Sequence, residues 1–398
     1  MIDTMFVGLS GLRTFQKGLS NIGNNVANLN TPGFKRTSLQ FTDMMYQYDA
    51  KGGGDFSGDG VKVGSTVTDF TQGELQASTN PLDVAIDGGS FFVAKSGSQL
   101  SYSRVGQFEL DPDGFLVNRQ DKSRIQMMSS AGGMQDFSVG ALRSQMAKPT
   151  TAIQFSDNLS TGATSSSADT AVYDKDGVQR QLKITFTSNS TATPGSWKIE
   201  VQDKATQATV GSGEIRFGPD GSPSVGYNEL NMQLKTATGS ASPLKLAFGA
   251  PGSISATTSL SGGTTSTIRV ASQDGYAAGG MTKLSFDSDG RAQISYSNGQ
   301  TAIGGQLALA RFARPEQQLQ RVGAGIYRAL DDKSAELGAG GVGAFGKVVG
   351  SKVELSNVDL SAEFSDMMIT QRGYQAASQL ISAANEMMQQ ALQMKSSR

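Results

Sequence analysis

The chain has 398 residues, room for two or three domains, and contains neither histidine nor cysteine. Those absences exclude disulfides, thiol nucleophiles, Ser-His-Asp triads and Cys/His zinc sites. Lys+Arg number 34 and Asp+Glu 35, a net charge of −1 without the basic excess that phosphate binding requires, so nucleic acid is not expected as a partner.

Charged residues make up 17% of the chain, against about 25% in an average soluble protein, and a sparsely charged, near-neutral surface offers little resistance to self-association. No apolar run reaches the ~18–20 residues of a spanning helix, so membrane insertion is not expected. The first basic residue is Arg13, so no secretory signal with a positive start is apparent. The chain then either stays inside or leaves by an uncleaved route.

Near the N-terminus, Met5, Leu12, Leu19 and Val26 recur every seven residues, and Phe15, Ile22 and Leu29 recur every seven in the interleaved phase. That spacing predicts an amphipathic helix with a 3-4 seam. Asn21, Asn24, Asn25 and Asn28 fall on an adjacent face, where they could be solvated, hydrogen-bonded across an interface, or lining a water-filled lumen. Thr31-Pro32-Gly33 stops the helix. Gly52-Gly53-Gly54 reads as a flexible connection.

Alternation of period two then takes over, as in Phe108/Leu110, Phe115/Val117, Leu182/Ile184/Phe186, Trp197/Ile199/Val201, Leu244/Leu246/Phe248 and Ile294/Tyr296. Turns at Asp111-Pro112-Asp113-Gly114, Asp174-Lys175-Asp176-Gly177, Pro219-Asp220-Gly221 and Asp287-Ser288-Asp289-Gly290 suit hairpins, because Asp and Gly tolerate positive φ. Composition shifts at Lys148-Pro149 and between Ser253 and Thr267, where Gly, Ser and Thr dominate. Residues 148–276 are therefore expected to be an outer, inserted β domain. Residues 71–147 with 277–336 form a middle β domain, 36–70 with 337–354 a connecting region, and 1–35 with 355–398 a helical core. Gly338 to Gly343 reads as a second flexible link.

At the C-terminus Leu360, Met367, Tyr374, Ile381 and Met388 step by seven, flanked by Phe364, Leu380, Met387, Leu392 and Met394. Ser356-Asn357-Val358-Asp359 offers a loose capping box for a helix of about 40 residues, or ~60 Å. Such a helix is too long to fold back on a small core, and isolated helices are marginal in water. Packing between subunits is the expectation. The fold class is thus α+β and multidomain: long terminal α-helices forming a coiled-coil core, plus two nested, mainly antiparallel β domains of barrel or sandwich type.

No catalytic, cofactor or metal residues are assigned. Gly338-Ala339-Gly340-Gly341-Val342-Gly343 fits G-x-G-x-x-G literally, but lacks the preceding buried strand and the helix opening at its third glycine. Calcium loops starting at Asp111, Asp174 or Asp287 would need Glu at the twelfth position, where Lys122, Thr185 and Asn298 stand. The carboxylate pairs Glu363/Asp366 and Asp331/Asp332 read as solvated helix or loop faces rather than acid/base machinery.

Asn24-Asn25-Val26-Ala27-Asn28-Leu29-Asn30-Thr31-Pro32-Gly33-Phe34-Lys35-Arg36 resembles the N-terminal signature of bacterial flagellar axial proteins of the rod and hook. Asn357-Val358-Asp359-Leu360 with Gln371-Arg372-Gly373-Tyr374 is similar to their C-terminal signature. The stretches from Ala85 to Phe92 and from Tyr102 to Phe108 resemble the middle domain shared by hook and distal-rod proteins. The insert, with Ala171-Val172-Tyr173-Asp174, Trp197-Lys198-Ile199 and Phe217-Gly218-Pro219-Asp220-Gly221, resembles the outer domain of the hook branch alone. Met1 to Phe6 departs slightly from the usual family opening.

The resemblance implies a structural, non-enzymatic subunit of the bacterial flagellum, located in the extracellular hook of the hook-basal body. It implies no cofactor. Implied partners are further copies of the chain, the distal-rod protein, the hook cap protein, the hook-filament junction protein and the flagellar type III export apparatus. A distal-rod axial protein is the alternative.

Overall fold

In the computed structural model the described residues are 2–44, 46–48, 56–58, 60–129, 133–235 and 241–396; the Gly52-Gly53-Gly54 connection lies outside them. The chain is mostly β-sheet, with one long helix near each end, and divides into two compact units. One comprises Met1–Ala141, Leu284–Ile294 and Ala302–Arg398, the other Leu142–Lys283 and Ser295–Thr301.

In the first unit, the N-terminal helix Ile2–Ala27 and the C-terminal helix Leu360–Ser396 pack against each other. The N-terminal helix runs out through Asn28 into a turn closed by Gly33, whose φ of 66° glycine adopts without strain. A Cβ there would also meet Val105 Cγ2 at 2.7 Å. The C-terminal helix starts later than a capping box at Ser356 implies. Asp359 is its N-cap, the Oδ1 accepting from the backbone N–H of Ser361 (2.8 Å) and Ala362 (3.2 Å).

The β part of this unit centres on strands Phe91–Ser96, Gln99–Ser103 and Arg124–Met128, with the segment around Leu309 paired to Phe92. Its core is aromatic. Phe91 meets Phe70, Phe312 and Tyr327 edge-on at ring separations of 5.6, 5.8 and 5.9 Å, the arrangement ring quadrupoles favour. Glycines 338–343, expected as a flexible link, are partly stranded: Glu336–Ala339 pairs antiparallel with residues 308–311, placing Gly338 opposite Leu309. A Cβ on Gly338 would lie 2.4 Å from the Phe345 ring, so close packing rather than mobility explains that glycine.

Two short ribbons carry the chain between the helices and these strands. Leu75–Ala77 pairs with Lys352–Glu354, and Val84–Asp87 pairs with Lys347–Gly350, both antiparallel. The outgoing and returning segments therefore run side by side, joined by backbone hydrogen bonds.

The second unit holds a four-stranded antiparallel sheet of Ser165–Tyr173, Gln179–Ser188, Ser196–Asp203 and Thr209–Arg216. A five-stranded sheet contributes to the same core: Ala152–Asn158 is parallel to Ala241–Ala247 and antiparallel to Arg269–Gln273. Leu182, Ile184 and Phe186 are fully buried while Gln181 and Lys183 are exposed, the alternation that a sheet with one wet face requires. Phe155 of the five-stranded sheet meets Phe186 of the four-stranded one edge-on at 5.7 Å, linking the two sheets. At the Asp174 turn, the carboxylate accepts from the backbone N–H of Asp176 and Val178, and Gly177 takes a φ of 78°.

Candidate functional site

The two helices meet along a seam of small residues. A Cβ on Gly8 would lie 2.8 Å from Ile381 Cγ1, on Gly11 3.6 Å from the Ala377 Cβ, and on Gly18 3.2 Å from Thr370 Cγ2. From the opposite side, a Cβ on Gly373 would lie 2.6 Å from the Phe15 ring. Gly8, Gly11, Phe15, Gly18, Ile22 and Asn25 alternate steps of three and four, so the seam does have heptad spacing. It lies one helical position from the expected one. Phe15 and Ile22 belong to it, whereas Met5, Leu12, Leu19 and Val26 are half-buried along its flank, and Leu29 sits beyond the helix in the turn. The signal that could have located it is the glycine spacing, since glycine carries no apolar side chain to count.

On the C-terminal helix, Ala377 and Ala384 are buried in the seam and Met367, Tyr374, Ile381 and Met388 are half-buried at or beside it. Leu360 and Phe364 face outward.

The asparagine stripe divides in two. Asn21 and Asn25 turn inward: each side-chain amide donates to the Thr37 carbonyl, at 2.6 and 2.8 Å, and the Thr37 hydroxyl donates back to Asn21 Oδ1 at 2.8 Å. Asn25 also donates to Glu363 Oε1 at 3.1 Å. The same Glu363 oxygen accepts from Arg36 Nε at 2.5 Å, and Arg36 Nη2 donates to Asp366 Oδ2 at 2.9 Å. The hydrogen bond to Glu363 holds the Arg36 guanidinium above its ordinary range, so both carboxylates clamp a cation. Asn24 and Asn28 stay local: Asn28 donates to the Asn24 carbonyl at 2.8 Å and its Oδ1 accepts from the Thr31 hydroxyl at 3.1 Å.

The remaining signature residues join the two ends of the chain. Asn357 Oδ1 accepts from the Arg36 N–H at 2.7 Å, and its amide donates to the carbonyls of Asp69 and Thr71. Gly33 N–H donates to the Glu354 carbonyl at 2.8 Å. Phe34 and Val358 are buried, and Arg321 lies 4.3 Å over the Phe34 ring. Ala27, Gln371 and Arg372 are exposed on the helices, and Asp359 is exposed apart from its capping role.

Beneath this junction lies a charge cluster that sequence reasoning missed. Lys35 Nζ donates to Glu354 Oε1 and to the Thr71 carbonyl, both at 2.6 Å. Arg104 Nη1 lies 3.5 Å from Glu354 Oε2, and its guanidinium sits 5.1 Å over the Phe91 ring. None of the three side chains is more than 1% exposed. Burial pushes the Lys35 ammonium below the usual lysine range against the pull of Glu354, lowers Arg104 likewise, and raises the Tyr327 phenol.

The outer faces of the helix pair are apolar. Phe6 is 62% exposed, Met368 57% and Ile369 68%, with Leu380, Met387 and Leu392 also open to solvent. A notch of about 340 Å³ at one end of the pair is lined wholly by Met5, Phe6, Leu9, Ile381 and Met388. Fully burying one such side chain is worth ~1.5–3 kcal/mol, so together these faces form an adhesive surface. Among the described residues, no helix is long and apolar enough to cross a membrane, and no cluster of acidic residues is grouped to hold a metal ion.

Three family models match the chain: flagella basal body rod protein over residues 5–35, flagellar basal body protein FlaE D2 domain over 141–276, and flagellar basal body rod FlgEFG protein C-terminal over 350–394. The flagellar hook protein FlgE of Treponema pallidum is 30% identical, with 99% of this chain and 100% of the relative covered. That of Salmonella typhimurium is 31% identical, with 96% and 97% covered. Among solved structures, the Helicobacter pylori flagellar hook protein FlgE2 aligns with 69% of this chain and 98% of its own, at 11% identity and a TM-score of 0.48.

Proposed function

This chain belongs to the flagellar hook protein family and is a structural subunit of the bacterial flagellar hook; from that premise we propose that it assembles with copies of itself into a curved tube that carries motor torque from rod to filament as a universal joint. The observation that carries this reading is the apolar outer surface of the paired terminal helices, which only further protein can bury.

The terminal segments 1–35 and 355–398 form a coiled-coil inner core, its stiffness supplied by the seam between the helices. The middle domain, 71–147 with 277–336, and the outer domain, 148–276, build the exterior, joined to the core through 36–70 and 337–354. Polar β surfaces with few charges slip past one another at low energetic cost, as a joint that rotates while bent requires. The chain is no enzyme. Its partners besides itself are the distal-rod, hook cap and hook-filament junction proteins and the flagellar type III export apparatus, and its working location is outside the cell. The match of residues 141–276 to a D2 domain favours this reading over a straight distal-rod subunit.

Limited proteolysis tests the coupling of folding to assembly. Both ends of the free monomer should be cut first, and the same sites should resist cleavage in tubes. Termini protected equally in the monomer would contradict it.

A further inference from the structure

The exposed apolar residues of the C-terminal helix follow a pattern. At 3.6 residues per turn, each residue advances roughly 100° around the axis. In the first half of the helix, Leu360, Phe364 and Met368 form one exposed stripe, roughly a quarter-turn to one side of the seam that faces the N-terminal helix. In the second half, Leu380 and Met387, with exposed Ala376 and Ala383 between them, form another stripe roughly a quarter-turn to the opposite side. Ile369 falls on this second flank, and Leu392, near the helix end, lies outside both stripes. The two stripes point roughly 140° apart, so no single neighbouring helix can cover both.

Little charge opposes close approach of like helices. Between Leu360 and Met394 the charged residues are Glu363, Asp366, Arg372 and Glu386. Glu363 is buried and Asp366 is paired with Arg36, which leaves Arg372 and Glu386 as the exposed charges outside that clamp.

We propose that the C-terminal helices of adjacent copies pack in parallel and head to tail, the first-half stripe of one copy against the second-half stripe of the next. The inference rests on self-assembly as read above and adds its register. The stripe centres, near residues 364 and 381, are offset along the axis by roughly 25 Å at 1.5 Å per residue. Each helix offers a different patch to each of two neighbours. Such an interface is heterologous, so it propagates along a helical array instead of closing on a two-fold pair. The N-terminal helix takes the third side, and the C-terminal helix becomes apolar-lined on three sides only within the array.

The chain has no cysteine, so introduced cysteines report single contacts. Full-length protein carrying Phe364→Cys with Leu380→Cys, or Met368→Cys with Met387→Cys, is polymerised at high concentration and treated with a short bis-maleimide. Electron microscopy and denaturing gels are read together. A ladder of covalent multimers from either double variant, with each single variant remaining monomeric, is expected. Dimers from Phe364→Cys or Met387→Cys alone would show like-on-like contact and overturn the register, as would well-formed tubes in which neither double variant cross-links. Failure of the unsubstituted chain to form tubes would instead remove the self-assembly reading beneath it, and the register with it.

Discussion

Lys35 Nζ lies 2.6 Å from Glu354 Oε1 with both side chains fully buried, so the segment leaving the N-terminal helix is tied by an ion pair to the segment entering the C-terminal one. The pair is asymmetric, because Arg104 approaches the other oxygen of the same carboxylate. One anion faces two cations in a site without water contact. Removing Glu354 strands both cations, whereas removing Lys35 leaves the Arg104–Glu354 pair.

Glu354→Met is therefore expected to destabilise the unit by ~3–5 kcal/mol, and Lys35→Met by clearly less. Chemical denaturation of the full chain, followed by far-ultraviolet circular dichroism, checks the ranking. Equal losses would mean that Arg104 contributes nothing to the cluster.

The pH dependence has a definite sign. Burial lowers the folded Lys35 pKa below its ordinary 10.5, so as pH rises toward 10.5 the folded state releases this proton before the unfolded state does. Stability rises with pH wherever the unfolded state binds more protons. Wild type should accordingly gain stability relative to Lys35→Met as pH increases toward 10.5, the reverse of a surface lysine pair. Measuring both proteins across that range isolates Lys35 from Tyr327, whose raised pKa acts in the opposite direction above pH 10 in both. A gap that moves against wild type as pH rises would contradict the assignment.

The glycine seam makes a third prediction. Alanine in a helix normally gains about 0.5–1 kcal/mol over glycine. At Gly373 the added methyl would enter the Phe15 ring at 2.6 Å, so Gly373→Ala should lower stability by ~1–3 kcal/mol. Gly23 has no atom within 4 Å of its would-be Cβ, and Gly23→Ala should be stabilising. Thermal unfolding of the two variants as assembled tubes, where the terminal helices are held in place, tests both directions at once.

These features differ in how far they can be read from residue order. The strands Gln179–Ser188 and Ser196–Asp203 follow directly from their alternating residues, because strand periodicity maps each position to one face. The two terminal helices follow from seven-residue spacing. Their seam did not, because apolar counting passes over Gly8, Gly11 and Gly18, where backbone approach replaces side-chain bulk. The glycines at 338–343 looked mobile for the same reason, although packing against Phe345 explains Gly338. Lys35 and Glu354 are 319 positions apart, and no local pattern marks two such residues as partners. The asparagines were legible as a stripe, but their bonds to Thr37 depend on a chain reversal that periodicity does not describe.

The adhesive helix surface makes the most direct prediction. Leu380 and Met387 are each about half exposed, so aspartate at either costs the monomer little. At an interface between copies it would bury an unpaired charge, costing several kcal/mol per contact.

The decisive measurement is electron microscopy of full-length Leu380→Asp/Met387→Asp under conditions that polymerise the unsubstituted chain, with circular dichroism confirming an unchanged monomer. Loss of tubes from a normally folded subunit is the predicted result. Curved tubes of ordinary length and yield, with both aspartates in place, would contradict burial of this helix face between copies.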